Sequence, residues 1–374
     1  MIEIKRVKTK AEQKQFVEFP LRLYRNNPYY VPPIYSEEMQ IFDPNYVHYD
    51  YCEAIYYNAY VNGKICGRIG AIIQTMANEK WNRKRVRFTR FDCINNRKVA
   101  RALFHAVEMW AKKKGMDAVM GPMGFTDQDR EGLLIEGFDQ MSAYEEQYNA
   151  DYYQDLIEYC GYKKEVDWLE SKIYLPDDKG EALQKMSDYV MKRYNLRFGE
   201  ASSTKEFIDK YAEPFLDMID ERYGDLYGAT PLTPKAREQL KKDFALFLNL
   251  KYCDVAVDPE GKVVALGLCF PSVGEVLQKS YGHLTPMTLL RLSKVMKHPK
   301  VIDLAFIAVD PEYVNKGVSV IVAARLAKIL REDGVEYAES LLNMEDNTAI
   351  LGMWKHFNAV QHKRRRAYLK NLNA

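Results

Sequence analysis

Residues 314–319 (VNKGVS) stand between an apolar β-rich run, residues 301–309 (VIDLAFIAV), and a segment of helical period. A turn that opens a helix presents backbone N–H groups backed by aligned peptide dipoles, which makes it a ready-made site for a pyrophosphate. Gly317 allows close approach of the backbone, and Asn315, Lys316, Val318 and Ser319 complete the turn. Farther on, the strand-like segment VEYAESLL sets Glu339 on one face with Val335, Tyr337 and Leu341. An apolar face raises a carboxylate's pKa toward the range of a general base, although a carboxylate held by a structural partner gives the same letters. Glu345 and Asn347 lie just before the last helical segment, where Asn347 fits a helix cap.

Two other stretches offer groups for an acceptor. Residues 121–139 (GPMGFTDQDREGLLIEGFD) carry Asp127, Asp129 and Glu131, which could attract an amine. Glycine-set turns and aspartate caps account for the same residues. Residues 221–234 (ERYGDLYGATPLTP) place Tyr223 and Tyr227 either on an acceptor loop facing a cleft or packed over a core edge.

Composition narrows the classes. At 374 residues with 47% hydrophobic and 13% aromatic side chains, the chain can build two cores. It lacks an apolar run of about 18 residues, so no membrane span is expected. A net charge of +2 is too small for wholesale phosphate neutralisation, so no nucleic-acid partner is expected. The six cysteines show no CxxC spacing and the N-terminus (MIEIKRVKTKAEQ) lacks a signal peptide's apolar core, which points to a cytoplasmic protein. The six histidines show no ligand spacing, and residues 127–131 fail the calcium-loop pattern, so no metal is expected. The basic run HKRRR, residues 362–366, reads as a strand with alternate solvated charges.

The elements that must position these groups repeat. Residues 59–73 form a hairpin around Asn62 and Gly63, residues 86–93 a strand, and residues 97–114 a helix with Val99, Leu103, Val107 and Trp110 at helical spacing. A strand at 117–120, a helix opened by Asn149 and a strand at 166–174 follow. The same plan recurs around residues 255–268 and 301–358, predicting a tandem α/β (α+β) protein, each half a mixed twisted sheet flanked by helices. The expected parts are residues 1–178, a helical connector at 179–204, and residues 205–374. The first copy reads CINNRKVARA where the second has its glycine turn, so its phosphate site is expected to be degenerate.

This layout resembles the cofactor-binding half of the GNAT (acyl-CoA N-acyltransferase) superfamily. Gly317 and Ser319 fall in the frame of its pyrophosphate turn, and Asn347, Ile350, Trp354 and Asn358 keep the spacing of its last helix. Over nearly its whole length the chain also resembles a bacterial group of two-domain GNAT-like proteins, some linked to lipid N-acylation. The segments PLRLYRNNPYYVPP, GPMGFTDQDREGLLIEGFD and ESLLNMEDNTAILGMWKHFNAVQHKRRRAY carry that likeness. The resemblance implies acyl-CoA or acetyl-CoA as co-substrate, held by the backbone around Ala308, Val309 and Asp310 and by the 315–319 turn. It implies a small-molecule or lipid amine as acceptor, with Glu339, Glu345 and Asn347 as catalytic candidates. Trp354 stands where many relatives place an acidic Tyr, and an indole has no transferable proton near neutral pH. A non-catalytic acyl-CoA-binding protein, an aminoacyl-tRNA-dependent transferase and an interaction module are the alternatives.

Overall fold

The computed structural model describes residues 1–373. The first half runs β1 (Ile2–Arg6), α1 (Lys10–Leu23), α2 (Tyr35–Gln40), β2 (Cys52–Val61), β3 (Lys64–Gln74), α3 (Thr75–Lys80), β4 (Arg85–Cys93), α4 (Arg97–Lys113), β5 (Ala118–Gly121), β6 (Leu133–Glu136), α5 (Tyr153–Tyr159) and β7 (Lys163–Tyr174). The second continues with α6 (Glu181–Arg193), β8 (Arg197–Phe198), α7 (Thr204–Arg222), α8 (Pro234–Phe247), β9 (Cys253–Val257), β10 (Val263–Pro271), α9 (Gly274–Lys279) and α10 (Pro286–Lys297). It ends with β11 (Val301–Val309), α11 (Ser319–Glu332), β12 (Tyr337–Glu339), β13 (Asn343–Met344), α12 (Thr348–Trp354) and β14 (Asn358–Asn371). Among the described residues, no helix is long and apolar enough to cross a membrane.

Local chemistry builds the parts. Asn62 and Gly63 both take positive φ, 51° and 76°, which turns the β2–β3 hairpin tightly with the twist its strands need. Val99, Leu103, Val107 and Trp110 form the buried stripe of α4, packed against β2, β3 and β4. In the second half, α11 buries Val320, Ala323, Ala324, Ala327 and Leu330 between the sheet and α6, which contributes Leu183 and Val190 to the same core. Asn149 does not open a helix: Tyr152 is the cap residue of α5, and the buried Asn149 amide instead exchanges hydrogen bonds with the Leu134 backbone at 2.7 and 3.0 Å. Its letters read as a cap because side-chain satisfaction of a strand's backbone uses the same residue type.

One sheet runs through both halves, in the order β1-β2-β3-β4-β5-β14-β7-β12-β11-β10-β9-β8. The last strand of each half is exchanged: β14 pairs β5 of the first half, and β7 pairs β12 of the second, with β14 and β7 antiparallel at the centre. The HKRRR run lies on this central strand, so its charges are not the solvated row expected from sequence. Lys363 and Arg365 are both 0% exposed. Their carboxyl partners come from β7, β12 and the loop before α5. Lys363 Nζ lies 2.5 Å from Glu170, 3.1 Å from Glu146 and 3.5 Å from Glu339, and Arg365 lies 2.5 Å from Glu170 and 3.1 Å from Glu146.

Candidate active site

The two halves contain the same device, a parallel strand pair that splays apart, but in different states. In the second half β11 and β12 pair only from Val301↔Tyr337 to Asp303↔Glu339. Immediately beyond, β11 bulges: Leu268 faces Phe306 and Cys269 faces Leu304, so Ala305 is left without a partner. The wedge is lined by Leu304–Val309 on one side and Ser340–Asn343 on the other, and opens into a cleft of about 950 Å³. Ala308, Val309 and Ser319 line this cleft. The backbone of β11 is met there by the Tyr223 hydroxyl, which donates to the Ile307 carbonyl at 2.9 Å and accepts from its N–H at 3.3 Å.

In the first half β4 and β5 pair from Arg85↔Ala118 to Arg87↔Met120 and then part. Here the wedge is filled by its own chain. Met123 N–H donates to the Phe88 carbonyl at 2.9 Å, and the buried Arg87 guanidinium donates to the carbonyls of Gly124, Phe125 and Gly228 at 3.2, 3.4 and 2.7 Å. The helix openings differ in the same sense. Asn96 caps α4, its Oδ1 accepting from the N–H groups of Lys98 and Val99, whereas Val318 opens α11 with no side-chain cap. Gly317 holds φ +74°, and a Cβ there would meet nothing closer than Val190 at 3.9 Å, so the approach to the α11 opening is free.

The cleft lining is mixed. Phe244, Phe270, Phe306, Ile350 and Met353 give it apolar walls. Asp127, Asp129, Glu131 and Glu145 line it as well, with Arg90 and Arg130. Burial raises the carboxyls of Asp127 and Glu131, and Glu131 Oε2 has no hydrogen-bond partner. Glu145 is exposed at the cleft wall, close to Arg130. Asp303, the last residue of β11 paired with β12, also lines the cleft. It is 6% exposed, its Oδ1 is unpartnered, and burial followed by the charge of Glu339 pushes it up to about 8. Sequence reading passed over Asp303, although it is the only charge in VIDLAFIAV; it also passed over Glu145.

The other expected site residues distribute unevenly. Tyr227 and Asp127 line the cleft; the Tyr227 hydroxyl is bound to Glu165 at 2.5 Å. Asn347 caps α12, accepting from Ile350 N–H at 3.3 Å, at the cleft wall. Glu345 lies outside it, paired with Lys164 at 2.8 Å and accepting from Asp167 N–H at 3.3 Å. Asp310 caps the 3-10 turn before Gly317 and pairs with Lys262 at 2.9 Å; Lys316 lies over the Tyr313 ring, 4.6 Å from its centroid. Glu339 is 4% exposed behind Asp303 and bound to His362 Nε2 at 2.6 Å. Glu170, Glu339 and His362 bring three ligand-type atoms within 4.8 Å of one another, but the Lys363 ammonium already neutralises that space. Trp354 donates its indole N–H to Asn343 at 2.7 Å, fixing α12 to β13.

No protein-family model matches the chain. It is 26% identical over 377 residues to Protein YghO of Escherichia coli (strain K12), covering 97% of this chain and 94% of that protein. It is 25% identical over 293 residues to the bacterial ceramide synthase of Caulobacter vibrioides (strain NA1000 / CB15N), covering 76% and 74%. Among solved structures, a tandem GNAT protein from the clavulanic acid biosynthesis pathway superposes with a TM-score of 0.57 at 11% identity, over 100% of this chain and 99% of that one. With its splayed strands, bulge and repeated halves, the chain has the tandem GNAT fold, in the company of bacterial proteins of this two-domain kind.

Proposed function

We propose that the chain is an acyl-CoA-dependent N-acyltransferase that binds its thioester along the second half and its acceptor amine beside the acidic side chains of the cleft. The observation that carries this reading is the contrast between the wedges: one is stopped by backbone and Arg87, the other is open beside an uncapped helix. A pantetheine amide would replace the Tyr223 hydroxyl on Ile307, and the α11 opening with Gly317, Val318 and Ser319 would take the pyrophosphate. The bulged backbone at Ala305 offers hydrogen-bond donors for a tetrahedral oxyanion.

Asp127, Glu131 and Glu145 would draw in a cationic amine. Asp303 would take the first proton of the ammonium; the neutral amine then attacks, the C–N bond forms and the C–S bond breaks, and the nitrogen's second proton goes to the departing sulfur, so that CoA leaves as the thiol. Glu339 enters this scheme as a positioning carboxylate, holding His362 and raising Asp303 through its charge. The Caulobacter relative is named a ceramide synthase, which supports a lipid amine as acceptor, and the apolar side chains lining the cleft suit a long acyl chain. The fixed indole of Trp354 favours a second reading, a non-catalytic acyl-CoA binder, because it brings no acid to the leaving thiol.

Calorimetry with CoA tests the first step. Gly317→Asp places a carboxylate against the phosphates and is expected to weaken CoA by roughly a hundredfold, the loss of about two charge-assisted hydrogen bonds. Unchanged affinity in a folded Gly317→Asp protein would remove the site. Consumption of an acyl-CoA across a panel of amines separates the enzyme from the binder.

A further inference from the structure

Residues 276–302 contain no Asp or Glu, although acids make up 52 of the 374 residues. The stretch carries Lys279, Arg291, Lys294, Lys297 and Lys300, all exposed. Lys279 pairs with Glu275 at 3.2 Å and Lys300 approaches Glu336 at 3.8 Å, while Arg291, Lys294 and Lys297 make no ion pair among the described residues. The same stretch exposes large apolar side chains: Tyr281 at 47%, Leu284 at 36%, Met287 at 56%, Leu289 at 49% and Leu290 at 67%. Single exposed apolar residues are ordinary; five on one helix and the turn leading into it, rimmed by cations, are not.

Helix α10 explains the arrangement. Thr288 and Leu292 are its buried face, and Leu292 packs with Val31, Ile34, Val276 and Leu277. Met287, Leu290, Lys294 and Lys297 recur at helical spacing on the outward stripe. An outward face that is apolar and basic at once has two demands, removal from water and a negative partner, and the boundary of an anionic bilayer meets both. We propose that α10 and the 281–285 turn form an interfacial docking surface for anionic phospholipid, lying on the bilayer without crossing it. The apolar cluster beneath α10 includes Val273 and takes in Tyr144 and Phe247, all three of which also line the cleft. Docking therefore sets the cleft close to the lipid surface. This inference rests on the surface itself and not on the acyltransferase reading.

Vesicle flotation tests it with the full chain. Vesicles of phosphatidylcholine and phosphatidylglycerol at roughly two to one are expected to carry the protein upward at low salt. Phosphatidylcholine alone, or raised salt, is expected to weaken binding by at least about tenfold. Leu290→Glu is expected to reduce it to a similar degree, and because Leu290 is mostly exposed its melting temperature serves as the control for folding. The triple change Arg291→Glu, Lys294→Glu, Lys297→Glu is expected to abolish the difference between the two vesicle types. Wild type that floats with neither vesicle, or Leu290→Glu that floats like wild type, overturns the proposal. So does a face that seats a second copy instead: a dimer in sedimentation velocity, split by Leu290→Glu, without vesicle binding.

Discussion

Asp303→Asn is expected to lower acyl transfer by roughly 10²- to 10⁴-fold, the usual cost of losing a general base, while leaving CoA affinity within about twofold. The residue stands at the fork of β11 and β12 with an unpartnered oxygen, so asparagine keeps its shape and removes only its capacity to take a proton. The pH profile adds a second check. With its carboxyl pushed up to about 8 by burial and Glu339, Asp303 gains its basic form only as pH rises, so the rate should climb toward a plateau above that value. Stability should move the other way. The unfolded carboxyl ionises near 3.8 and the folded one near 8, so the native state binds the extra proton between them and loses stability as pH rises through that window. Asp303→Asn should flatten this slope. Glu339→Gln leaves Asp303 in place but weakens its neighbour's charge, so it should shift the rate profile toward lower pH. Full activity in folded Asp303→Asn would move the base elsewhere in the cleft.

How much of this was legible depended on how local each signal is. The Asn62 and Gly63 hairpin, the buried stripe of α4 and the glycine turn at 317 are written within a few residues of themselves, and each stands where the letters put it. The tandem plan followed from repeating such local signals, and the fold comparison agrees with it. Strand exchange left no trace, because adjacency of β14 with β5 and β7 is decided by pairings roughly two hundred residues apart, which carry no period. That omission turned HKRRR into a solvated row. A lysine and an arginine on a strand look exposed until the strand is known to be central. Asp303 was missed for the opposite reason: its strand was correctly read as apolar, and the lone charge within it was not asked for a purpose. In a buried strand, an unpaired acid is the residue least explained by packing.

Arg365→Met is expected to destabilise the fold by about 3–5 kcal/mol, since it removes one member of a fully buried charge cluster and leaves the others uncompensated. Four groups balance at neutral pH. Lys363 and Arg365 are positive; burial opposes their charge, yet Glu146 and Glu170 hold both above their ordinary values. Glu170, pulled below the usual carboxylate range by Arg365 and Lys363 in spite of burial, is negative, and the charge of Glu339 also supports Lys363. Glu146, which burial and the charge of Glu170 push up to about 8, stays mostly protonated. Without Arg365 the cluster carries an excess negative charge on the strand that joins the two halves. Because β14 and β7 hold both halves through this cluster, unfolding should remain a single transition at lower denaturant rather than separate into two. The sign with pH also follows. Glu146 binds a proton in the native state between its unfolded value of 4.5 and about 8, so stability falls as pH rises through that range. The fall should steepen in Arg365→Met, where the ionised Glu146 loses a partner at 3.1 Å. Adding Glu170→Leu to Arg365→Met removes both members of one 2.5 Å pair, and the double variant should be less destabilised than the sum of the two single ones. Denaturant melts of the four proteins at pH 6 and pH 8 measure all of this; an Arg365→Met protein within about 1 kcal/mol of wild type would mean that water, not Arg365, already satisfies those carboxylates.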